Sequence, residues 1–151
     1  MMRLMGVIVD LVIIALLFAA AGGFGDGVGD AAIALADGKL AKSPVEIFCS
    51  GILANMLVCL AVWMSMSALT LPAKILAVVG PVTIFVAAGL EHCIANMSII
   101  PLGWLAAPNE SADLASGAVN LIASTLGNVV GGSMLALAIA YGHNAVRQPG
   151  S

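Results

Sequence analysis

Apolar residues fall in four long stretches, separated by short segments that hold nearly all the charge. The stretches run roughly from Leu4 to Gly22, Val45 to Leu69, Ile75 to Leu105 and Gly117 to Tyr141. A helix needs about 20 apolar residues to cross the hydrocarbon core of a bilayer. The pattern therefore predicts an all-α integral membrane protein with about four transmembrane segments. The first stretch has two readings. Arg3, the apolar run and Ala19-Ala20-Ala21 fit a secretory signal with a small-residue cleavage site. Asp10 inside the run argues for a membrane helix in a protein interior instead.

The third stretch is too long for one straight span. Its 31 residues would extend roughly 46 Å as a helix, against a hydrocarbon core of about 30 Å. Its middle holds Gly89-Leu90-Glu91-His92 and then Asn96. Adjacent ionisable groups at mid-depth are costly on a lipid-facing helix. Length and polarity together predict a span broken at mid-membrane, with helix from Ile75 to Ala88, a non-helical stretch between roughly Gly89 and Asn96, and a second helical piece beyond. Such breaks occur where the backbone is buried in protein or lines a cavity.

Composition strengthens the membrane reading. The chain is 62 % hydrophobic and 9 % charged, too little polarity to cover a water-soluble globule. A net charge of -3 without a basic patch excludes nucleic acid as a natural partner, leaving the lipid bilayer and small solutes. Cys49, Cys59 and Cys93 sit in apolar stretches without metal-ligand spacing, and read as buried packing residues. The Gly/Asp-rich segment after the first stretch lacks the spacing of a phosphate-binding loop and reads as a flexible membrane-surface loop. Arg3, Lys74 and Arg147 fall on one side of a four-span topology, and Lys39 and Lys42 on the other. The excess of basic residues assigns both termini to the cytoplasm, and the chain to the inner (plasma) membrane. No hydrolase, zinc-protease or metal-cluster motif occurs, so the reading includes no enzyme, no cofactor and no metal site.

Five polar residues in apolar surroundings are the candidate functional groups. His92, beside Glu91, is placed by depth to exchange a proton near neutral pH. Asn55 and Asn128 lie mid-way along the second and fourth stretches, where an amide needs a partner. They are either helix–helix bonds or amides aimed at the broken span to hold His92 or an ion. Asn96 completes the group. Gly127 and Gly131 form a G-x-x-x-G pair followed by Gly132, read as close packing, with the broken-span backbone as the partner it would admit. Lys39 and Lys42 are either solvated lysines at the membrane edge or an electropositive vestibule for anions.

The stretch Gly89-Leu90-Glu91-His92-Cys93-Ile94-Ala95-Asn96-Met97, followed by Ile100-Pro101-Leu102-Gly103, resembles the E-H-S-[IV]-A-N-M signature of the formate/nitrite transporter family. The run from Gly51 to Trp63 is similar to that family's fourth helix, and Gly127-Asn128-Val129-Val130-Gly131-Gly132 to the G-N-x-x-G-G of its sixth. The resemblance is good over residues 39–145 and loose before them. It implies an aquaporin-like fold of two inverted repeats, assembled as a homopentamer with one pore per protomer. Of that fold, residues 39–145 would be the C-terminal repeat, residues 1–38 one preceding helix and an extracytoplasmic loop, and residues 146–151 a cytoplasmic tail.

By resemblance His92 is the central pore histidine and Asn55 and Asn128 its asparagine pair. Lys39, sixteen residues before Asn55, is the vestibule lysine, while Val58 and Phe85 form the apolar constriction. The implied function is transport of a small monovalent weak-acid anion. Formate is favoured by the Ile-Pro-Leu-Gly run, with nitrite, hydrosulfide and lactate as alternatives. Cys93 replaces the commoner serine, and Gly6-Val7 and Asp10 depart from the family's third helix. The family's first two helices have no counterpart here. The chain thus reads as a truncated product, an incomplete gene model or one piece of a split protein. The rival reading is a non-transporting remnant, or a subunit needing a full-length partner.

Overall fold

The computed structural model describes residues 12–107, 109 and 112–147. The expectations placed on Arg3, Gly6, Val7, Asp10 and residues 148–151 lie outside the described residues. All regular structure among the described residues is helical: α1 (residues 12–20), α2 (Val28–Leu40), α3 (Pro44–Ser67), α4 (Leu71–Ala87), α5 (Cys93–Ala106) and α6 (Leu114–Arg147). Two of them, Pro44–Ser67 and Leu114–Gly142 within α6, are long and apolar enough to cross a membrane. The chain divides into two compact units. One comprises the chain up to Ile47 with Cys93–Ala123; the other comprises Phe48–His92 and the chain from Ser124 on.

Helix ends follow local chemistry. The Ser43 hydroxyl accepts from the Glu46 amide at 3.4 Å, and the Glu46 carboxylate accepts from the Ser43 amide at 2.8 Å. This reciprocal box satisfies two of the donors that every helix start leaves open. Pro44 follows Ser43, where its missing N–H costs nothing. Thr70 caps α4, its hydroxyl accepting from Ala73 N–H at 3.4 Å, with Pro72 in the first turn. Asp113 caps α6 by accepting from Ser116 N–H at 3.0 Å. The Ser116 hydroxyl and amide hold this carboxyl below its ordinary range.

The end of α4 matters most for the site. Gly89 has φ +57°. Its N–H donates to Val86 C=O at 3.0 Å, and Leu90 N–H donates to Phe85 C=O at 3.2 Å. This is the Schellman pair of bonds, closed by one residue in the left-handed region, where only glycine is unstrained. A Cβ at Gly89 meets open space, so substitution costs conformation and not contact. Gly89→Ala is expected to lower stability by about 1–2 kcal/mol, the price of the left-handed region for an L-residue. The check is the denaturation midpoint in detergent, with Gly80→Ala as control, since Gly80 is also open and lies mid-helix.

Several expectations need correction. The non-helical stretch between α4 and α5 covers residues 88–92 only, and Cys93–Asn96 are already helical. The Schellman closure stops α4 abruptly, so few residues are needed before α5 begins. The Gly/Asp-rich segment is not a loop throughout, because Val28–Leu40 is helix α2. Its buried residues, Gly29, Ala32, Ala36 and Lys39, recur at three- and four-residue spacing and put small side chains on one face. That face meets α5: a Cβ on Gly103 would overlap Ala36 Cβ and lie 3.0 Å from Ala32 O. Tertiary packing thus makes a helix from a segment whose glycines and aspartates disfavour one. Cys49 is exposed rather than buried, and Cys59 and Cys93 are half-buried.

Candidate functional site

Five residues between helices leave a backbone that must find partners off its own segment. In the unit that contains them, α3 and α6 supply those partners. Ser50 Oγ accepts from Glu91 N–H at 3.0 Å. The Asn128 amide nitrogen donates to Glu91 C=O at 3.0 Å and to Gly51 C=O at 2.9 Å. Glu91 is completely buried and Asn128 is 5 % exposed. Asn55 donates in turn to the backbone oxygen of Asn128 at 2.6 Å. The two asparagines thus act in series: Asn55 grips the α6 backbone at Asn128, and the Asn128 side chain grips Glu91.

Glycines make this possible. A Cβ on Gly132 would lie 2.6 Å from the Asn55 amide nitrogen, and one on Gly51 would lie 3.1 Å from that of Asn128. Either side chain would push an asparagine off its acceptor. Gly127 and Gly131 serve the same helix pair. A Cβ on them would overlap the backbone oxygens of Phe48 and Ile52. The partner of this G-x-x-x-G is therefore α3, not the backbone of the broken span. Close backbone approach through small residues holds helices together where lipid supplies no hydrophobic drive.

His92 ends the interhelical segment, half-buried, with its ring edge-on to Phe85 at 5.8 Å between centroids and 70° between planes. Phe85 and Val58 are half-buried on α4 and α3. The structure thus brings together His92 with Phe85, and Glu91 with Asn128 and, through it, Asn55. Asn55 and Asn128 hold backbone oxygens.

The other unit holds a second polar chain. Asn96 donates to the Asn120 side-chain oxygen at 2.7 Å, and the Asn120 amide nitrogen donates to Lys39 C=O at 3.1 Å. Asn96 and Asn120 are fully buried and Lys39 is 8 % exposed. A freely solvated lysine does not describe Lys39; Lys42 is half-buried. Sequence reading missed Ser50, Asn120 and Ser124. A signal was available on α6, where Asn120, Ser124 and Asn128 recur every four residues and all three are buried. A polar stripe at helical spacing in an apolar helix marks its interior face. No group of three or more metal-ligating side chains occurs among the described residues.

Known proteins are similar to this chain in sequence and in fold. The sequence model of the formate/nitrite transporter family matches residues 1–142. The formate channel FocA of Escherichia coli K12 is 42 % identical over 117 residues, covering 66 % of this chain and 41 % of FocA. The nitrite transporter NirC of the same strain is 34 % identical over 131 residues, covering 86 % of this chain and 48 % of NirC. A solved pentameric formate channel with formate bound superposes with a TM-score of 0.82 at 31 % identity, covering 92 % of this chain and 62 % of that one. The chain therefore spans less than half the length of these curated relatives. A family match along nearly the whole chain, on apolar helices with the same fold, has one meaning: this is a membrane-integral protein, and it belongs to the formate/nitrite transporter family.

Proposed function

We propose that this chain serves in transmembrane transport of a small monovalent weak-acid anion, formate first, with proton exchange at His92. The observation that carries this reading is the interhelical segment 88–92, held by Asn128 and Ser50 and ending at His92 against Phe85. In this reading α4 and α5 are two halves of one span broken at mid-membrane, among four spans with both termini cytoplasmic in the inner membrane. Residues 39–145 are the C-terminal inverted repeat, and a complete protomer would assemble as a homopentamer, the superposed formate channel being pentameric.

In this reading Lys39 marks the vestibule that draws the anion, and the apolar side chains of Val58 and Phe85 mark the constriction. A bare charge loses several kcal/mol of hydration there, and a protonated weak acid does not. His92 is the group that gives or relays the proton. Glu91, Asn55 and Asn128 fix the backbone that carries it, while Asn96, in the first turn of α5, adds a polar group at the half-helix start. NirC, similar along 86 % of this chain, makes nitrite the second substrate to assay.

The test is formate uptake by cells that lack their own formate channels and express the chain together with the family's first two helices, supplied by a family relative. Uptake rising with external acidity is expected. His92→Ala should lower it about 10–100-fold and flatten the acid dependence, since each 1.4 kcal/mol of barrier is tenfold in rate. An unchanged acid dependence in His92→Ala would overturn proton exchange at His92. Uptake no higher than in empty cells would favour the non-transporting remnant or partner-dependent subunit.

A further inference from the structure

Lys39 is the last member of the buried stripe on α2, one residue from the helix end at Leu40. The final carbonyls of a helix have no acceptor role within it. Asp37 C=O takes the Ala41 N–H at 2.9 Å. Lys39 C=O takes the amide of Asn120, from α6, at 3.1 Å. The same Asn120 accepts from Asn96 of α5 at 2.7 Å, which fixes which way its amide faces. One side chain with no solvent exposure therefore ties the C-terminal turn of α2 to α5 and α6. Another contact of α2 with α5 is the crossing at Gly103, about a turn back at Ala36.

We propose that Asn120 is a positioning residue for Lys39: by capping the end of α2 from α6 it fixes where the vestibule cation sits, and so sets the apparent affinity for the anion. The proposal rests on the reading of Lys39 as that cation. Asn120 touches no anion itself. Its removal leaves the lysine charge in place but takes away one buried bond from the turn that carries it. A charge at a fixed place at a pore mouth concentrates anions, whereas the same charge averaged over many positions does so less.

Two measurements on the chain, expressed as in the uptake test above, decide this. The first is the rate at which a small amine-reactive reagent labels Lys39 in liposomes, read by mass spectrometry with Lys74 as internal reference. Labelling of Lys39 should be several-fold faster in Asn120→Ala, with Lys74 unchanged. Asn120→Ser, which keeps one short hydroxyl, should be intermediate, and it provides the comparison if the alanine variant does not fold. The second is formate uptake. KM should rise about three- to tenfold in Asn120→Ala with maximal flux and acid dependence kept, and its dependence on ionic strength should weaken. Adding Asn120→Ala to Lys39→Ala should raise KM no further, since one acts through the other. Unchanged labelling in a folded variant, or additive KM effects in the double variant, would overturn the positioning role. Lys39→Ala without effect on KM would instead overturn the vestibule reading, whatever the labelling shows.

Discussion

Gly127→Ala and Gly131→Ala should each cost the protein about 3 kcal/mol or more, and together should leave no folded protein to purify. Each added Cβ would overlap a backbone oxygen of α3, Phe48 O in one case and Ile52 O in the other. Backbone oxygens in a helix cannot swing aside as a side-chain terminus can. The helices must part, and every contact along the seam weakens with them. Overpacking in well-packed interiors typically costs about 1–3 kcal/mol. These positions belong at the upper end or beyond, because separation also pulls Asn55 and Asn128 off their acceptors. Gly103→Ala should be similarly disruptive in its own unit, where the new methyl overlaps Ala36 Cβ. Gly38→Ala, with nothing within 4 Å, should be neutral or stabilising by up to about 1 kcal/mol through helix propensity. Thermal aggregation midpoints in detergent rank the four variants. A Gly131→Ala protein as stable as Gly38→Ala would show that α3 and α6 do not meet as described.

The sequence made some of this legible and hid the rest for identifiable reasons. Val45–Leu69 as a span is within two residues of α3, because a long apolar run flanked by polar residues has one solution in a bilayer. The interruption after α4 was legible from excess length and from Gly89-Leu90-Glu91-His92. Its extent was not, since a Schellman closure depends on backbone angles that only Gly89 hints at. Helix α2 was hidden because its glycines and aspartates argue locally for a loop, whereas its stability comes from Ala32 and Ala36 against Gly103, some 70 residues away in sequence. The asparagine pair was recognised, and its targets were not. An amide in hydrocarbon announces that it needs a partner, but nothing in a sequence says that Asn128 will choose the backbone of Glu91. Asn120 was passed over because it lies near the start of the fourth stretch, where a polar residue reads as membrane edge until its burial is known.

Asn128→Leu should separate structure from transport more sharply than any other substitution near His92. Leucine keeps the branched skeleton of asparagine and is somewhat larger, so the change removes hydrogen bonds without opening a cavity. Gly51 C=O retains the acceptor role that any helical carbonyl has within α3. Glu91 C=O has no such helix around it, because residues 88–92 are non-helical. It loses the Asn128 donor in a place where Glu91 has no exposure to water. A buried polar group that loses a hydrogen-bond donor costs up to about 1–3 kcal/mol, so Asn128→Leu should lower stability by that amount and still fold. Asn128→Ala should cost somewhat more by adding a void. The effect on transport is expected to be far larger than the effect on stability. His92 follows Glu91 directly, so loosening the Glu91 carbonyl loosens the backbone that carries the histidine, and under the proposed function a proton-exchanging group that is less well held serves the anion less well. Formate uptake should fall to near the level of His92→Ala, and Asn128→Leu combined with His92→Ala should be no worse than His92→Ala alone. Asn55→Leu should show the same pattern more weakly, since Asn55 reaches Glu91 only through Asn128. Wild-type uptake and acid dependence in a well-folded Asn128→Leu protein would mean that the grip on Glu91 is structural only, and that His92 takes its position from Phe85 instead.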